Sequence, residues 1–79
     1  MMNSLEDRQI KEILMRDNVT FKNLNLKHQE LDRKLREISA GNIRTEKEWI
    51  EEHNLKKQKL VLKDSMQQYI SEYRKQLDN

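Results

Sequence analysis

Two histidines are the side chains best suited to acid–base or metal chemistry in this chain of 79 residues. His28 precedes Asp32 by four positions, a spacing that sets imidazole and carboxylate on one face of a helix. His53 would lie on the facing arm if the chain folds back near its middle. Zinc takes three or four ligands and the sequence has no cysteine, so two histidines among scattered carboxylates fall short of a metal site. Neither histidine has a triad partner pattern, and no Gly-rich loop is present to cradle a phosphate. The sequence therefore predicts no catalytic residue, metal, cofactor or small-molecule substrate, and no enzyme. His28 reads as a seam residue paired with Asp32.

Lys56, Lys57, Lys59 and Lys63 form the densest run of charge, with no acid among them. Lys56, Lys59 and Lys63 share a helical face, and lysines aligned on a rigid rod could displace counterions from nucleic acid. Flanking Glu51, Glu52 and Asp64, with Glu30 and Asp32 on the other arm, supply acids to pair with them. The 16 basic and 14 acidic residues leave a net charge of only +2, which is not the broad basic footprint of a nucleic-acid binder. A solvated helix face is the favoured reading of the block, and RNA or DNA contact the alternative. Trp49, Tyr69 and Tyr73 could stack on bases, but their helical spacing reads as core, with Trp49 sealing the turn. Mixed acids and bases on the polar faces argue against a membrane surface.

Helices must position these groups, because the chain has no proline and one glycine, Gly41, near its midpoint. A β-rich fold of this size would need several turn signals. Phe21, Leu24, His28, Leu31, Leu35 and Ile38 recur at alternating spacings of three and four, a heptad seam. Gly41, in the left-handed conformation, would end that helix. Thr45 and Glu48 then form a capping box, followed by a wider stripe of Trp49, Leu55, Leu62, Met66, Tyr69 and Tyr73, with Ile70 and Leu77 beside it and Lys59 interrupting it. Before these, Ser4 to Asp7 resembles another capping box, Leu5, Ile10, Ile13 and Leu14 give a short helical pattern, and Asp17 to Thr20 reads as a break capped by Asn18 or Thr20.

The expected architecture is all-α: an antiparallel two-helix hairpin, coiled-coil-like, with a short N-terminal helical segment packed on the overhanging end of the long second helix. It is one domain over 1–79, with a short helix at 5–17, a helix at 18–39, a turn at 40–44 and a long helix at 45–77. Folding at Gly41 would bring Leu35 and Ile38 near Trp49, Leu31 and His28 near residues 52–56, and Phe21 near residues 63–66. Leu60 and Val61 then point away from the seam, and Leu26 sits off it on the first arm. These three are the candidate interaction surface.

A chain this short buries little surface, so a protein partner or homo-oligomer would stabilise it. Without cysteine a reducing compartment fits, and the residues after Met1 lack the apolar core of a signal peptide. A cytoplasmic protein without a membrane span is expected.

Asn18-Val19-Thr20-Phe21, Lys27 to Asp32, and above all the run from Leu55 to Met66 resemble the YdcH-like proteins, small bacterial chains catalogued as a domain of unknown function. The resemblance spans about residues 5 to 75. It implies a bacterial cytosolic helical hairpin, coiled-coil forming, with no activity to carry over. The common pattern has proline after the asparagine, where this chain has Val19. Valine does not forbid a continuous helix, so one helix from Leu5 to Ser39 is the alternative. The sequence thus points to a non-enzymatic interaction or scaffold module working through helix packing.

Overall fold

A computed structural model describes residues 5–41 and 45–78, the side chain of Asp78 excepted, and places them in three helices: α1 (Asp7–Asp17), α2 (Val19–Ser39) and α3 (Glu46–Asp78). No strand occurs among the described residues. The molecule is a rod of 55 × 19 × 18 Å, its long dimension set by the 33 residues of α3 at about 1.5 Å each.

Local chemistry sets each helix end. Glu6 caps α1 in extended geometry, its N–H donating to Gln9 Oε1 at 2.8 Å and its carboxylate accepting from the Gln9 backbone. Ser4, where the sequence suggested a cap, lies outside the described residues. Asn18 leaves helical geometry (φ −121°, ψ 107°) and serves two helices at once. Its N–H donates to the Leu14 carbonyl at 2.8 Å, and its side-chain oxygen accepts the Phe21 N–H at 2.9 Å. Helix continuity from Leu5 to Ser39 is therefore broken without proline, by the asparagine side chain. Thr45 and Glu48 make their reciprocal box, with Glu48 N–H to Thr45 Oγ1 at 3.2 Å and Thr45 N–H to Glu48 Oε1 at 3.3 Å.

α2 and α3 form the hairpin, and α1 folds back across its open end. Ile10 and Leu14 of α1, Phe21 of α2, and Met66 and Ile70 of α3 are buried together, flanked by Leu24, Tyr69 and Tyr73. Phe21 meets Tyr69 edge to face at 6.2 Å, a geometry favoured by the ring quadrupoles. Arg74 ties the start of α1 to α3, donating to the Leu5 carbonyl at 2.8 Å and pairing with Asp7. Nearer the turn, Leu35 and Leu55 are buried, and so are two polar residues, Asn25 and Glu52.

Three expectations require correction. Gly41 does not take positive φ; α2 ends in a tightened turn, with Ala40 N–H on the Arg36 carbonyl at 3.0 Å and Gly41 N–H on the Ile38 carbonyl at 3.3 Å. The hairpin register is also shifted by about one to two helical turns, although Phe21 does pack with Met66 as expected. Asp32 meets Lys59 and Phe21 meets Tyr69, whereas a fold pivoting at Gly41 would set Leu31 and His28 against residues 52–56. Trp49 consequently lies beyond the end of α2 and is 57% exposed, so it does not join the core. Residues 42–44 of the expected turn lie outside the described residues.

Candidate interaction surfaces

α3 is apolar on two sides. One side is the seam of Leu55, Leu62, Met66 and Ile70; the other carries Trp49, Ile50, Leu60 and Val61, each more than half exposed. At 100° per residue, Leu60 and Val61 follow Trp49 and Ile50 by eleven positions, within about 20° of three full turns. The two doublets therefore share the outward face, roughly 16 Å apart. Sequence reading found Leu60 and Val61 but assigned Trp49 to the core and passed over Ile50. Leu26 is 51% exposed, but the same periodicity sets it on the outer side of α2, so it does not extend the Leu60–Val61 patch.

The lysine block is divided by the fold. Lys56 pairs with Glu52 at 3.0 Å, one turn away on its own helix. Lys59 crosses to Asp32 at 2.7 Å, which makes a seam lysine tolerable and gives the hairpin a polar clasp. Lys57 rims a groove of about 510 Å³ on one flank, floored by Leu31, Leu62 and Val61 and edged by Lys27 and Lys34. Lys34 also reaches Glu30 at 3.6 Å. Lys59 and Lys63 open onto the other flank, a cleft of about 390 Å³ shared with Arg8, Lys11 and His28. These four lysines do not make one continuous basic strip.

His28 is half-buried on the seam, but Asp32 is not its hydrogen-bonded partner: that carboxylate goes to Lys59. Burial pushes the His28 imidazole below its ordinary range, Lys59, Lys11 and Lys63 push the same way, and Asp32 opposes them. The hydrogen bond from Lys59 holds the Asp32 carboxyl below the usual carboxylate range. His53 is exposed, and no group of three His, Cys, Asp or Glu side chains suited to a metal ion occurs among the described residues. No helix among those residues is long and apolar enough to cross a membrane.

Neither a curated protein nor a solved structure matches this sequence. A family profile does match, over residues 21–70, taking in all but the first two residues of α2 and most of α3, the hairpin that carries the doublet Leu60–Val61 and the divided lysines. On that match, over more than half of its length, the chain belongs to the family described as "Protein of unknown function (DUF465)", which includes the YdcH-like small bacterial proteins.

Proposed function

We propose that this chain is a non-enzymatic cytoplasmic interaction module whose outward α3 face pairs antiparallel with the same face of a second copy. The observation that carries this reading is the spacing of the apolar doublets. A two-fold axis crossing α3 at Leu55 sets Trp49 and Ile50 of one copy level with Val61 and Leu60 of the other, so the doublet pattern is complementary to itself. The contact would be helix packing of the kind found in coiled coils, with the inner seam kept for the hairpin and the outer stripe for the partner. In this reading α1 is a latch on the overhanging end of α3, holding the long helix straight where α2 no longer covers it.

The division of the lysine block speaks against nucleic acid as the principal partner, since Lys56 and Lys59 are engaged with Glu52 and Asp32. Sedimentation of the parent and of Leu60→Glu/Val61→Glu from micromolar to millimolar protein tests the proposal. The parent should gain mass with concentration, and the double variant, still helical, should remain a monomer. A parent that stays monomeric throughout, or a double variant that associates equally, contradicts it.

A further inference from the structure

We propose that the cleft where α1, α2 and α3 meet, whose polar lining includes Arg8, Lys11, His28, Lys59, Lys63 and one acid, Asp7, binds a small anion carrying two or more phosphoryl groups. This site is separate from the outward α3 face and stands independently of the self-pairing described above. All three helices contribute to it, and its volume of about 390 Å³ accommodates a diphosphate.

The charge balance of the cleft distinguishes it from an ordinary solvated surface. The one acid in its lining, Asp7, pairs with Arg74, and Asp32 beside His28 pairs with Lys59. Lys11 and Lys63 make no ion pair among the described residues, and Arg8 reaches only Glu6, at 3.5 Å with both side chains exposed. A chain with a net charge of only +2 thus gathers unneutralised cations from two helices into one concavity, against their mutual repulsion. An anion in the cleft would relieve that repulsion.

The arrangement favours a compact ligand over a nucleic-acid strand. Lys11 of α1 stands with Lys59 and Lys63 of α3 and His28 of α2 around one cleft, and Lys56 and Lys57 do not line it. Ammonium groups presented from α1 and α3 suit two phosphoryl groups held between them. His28 lies between those helices as a reporter. Burial disfavours its imidazolium, and the field of Lys59 and Lys63 on α3 and of Lys11 on α1, opposed by Asp32 on α2, adds to that; a bound polyanion reverses the field of the lysines.

The test is a proton NMR titration of His28 and His53 across pH, with and without inorganic diphosphate at constant ionic strength. Diphosphate should raise the His28 pKa saturably by about one unit, equivalent to about tenfold tighter binding to the imidazolium form, while exposed His53 moves little. The exposed pair Lys11→Gln/Lys63→Gln should remove the shift without loss of helicity, and Lys57→Gln should preserve it. Absence of a saturable shift, equal movement of both histidines, or a shift that survives Lys11→Gln/Lys63→Gln would overturn the proposal. So would saturation by a single-stranded oligonucleotide but not by diphosphate.

Discussion

Truncating Ile10 to alanine should remove a large fraction of the stability of the whole chain. Ile10 is fully buried, and its cluster with Leu14, Phe21, Met66 and Ile70 joins all three helices. Deleting an isoleucine to alanine in such a site costs about 2–5 kcal/mol, as transfer energy and cavity cost add. At ~0.05–0.15 kcal/mol per residue, a chain of 79 residues has roughly 4–12 kcal/mol in total. α1 has only 11 residues, too few for an isolated helix to persist in water, so its helicity depends on docking. With a urea slope of ~1 kcal/mol per molar for a protein this small, the midpoint should fall by ~2 M or more. Leu26→Ala, at a position 51% exposed, should move stability by less than ~0.5 kcal/mol. Both variants should be compared at one protein concentration, because self-association would add to apparent stability. An Ile10→Ala midpoint within ~0.5 M of the parent would refute the claim that α1 belongs to the cooperative unit.

Other consequences follow from the caps and from the His28 neighbourhood. Asn18→Ala removes the acceptor of the Phe21 N–H and should cost ~1 kcal/mol, lowering the thermal midpoint by ~4–8 °C in a calorimetric scan. Asp32→Asn breaks a clasp whose side chains are 41% and 33% exposed, so it should cost less than ~1 kcal/mol; by NMR it should also lower the His28 pKa further, since the one opposing charge is gone. Stability itself should depend on pH through His28. Its folded pKa lies below the unfolded value of about 6.5, so the unfolded chain binds more protons as pH falls. The contribution is complete above about 6.5 and is lost as pH drops through it, with a second loss below about 4 as the depressed Asp32 carboxylate protonates. Urea midpoints measured across that range should decline toward acid, and His28→Gln should flatten the first decline.

The sequence made α2 easier to read than α3. In α2 the heptad from Phe21 to Ile38 has one apolar stripe, and every member of it is buried or half-buried. α3 is apolar on two sides, so periodicity alone could not say which side faces the hairpin. That choice depends on register, and register depends on how many residues cross the turn, a length that hydrophobic spacing does not encode. Trp49 was misplaced for this reason. The caps at Asn18 and Thr45 were legible because they are local, satisfied within three residues. Asn25 and Glu52 were missed for the opposite reason, since burial is conferred on polar side chains by the opposing helix. Lys11 and Lys63 show the same limit. They are far apart in the chain, and only the docking of α1 brings them to the cleft beside His28.

Cysteine pairing tests the outward α3 face most directly, because the chain has no cysteine of its own. In Ile50→Cys/Val61→Cys the two introduced thiols lie about 16 Å apart on one helix, too far to bridge within a copy. Antiparallel pairing about the axis at Leu55 brings each within about one residue's rise of its counterpart in the second copy, so mild oxidation should give a covalent dimer in high yield. Leu26→Cys, on the other side of the hairpin, should give little. Equal or greater cross-linking through Leu26→Cys, or none through Ile50→Cys/Val61→Cys, would contradict the account.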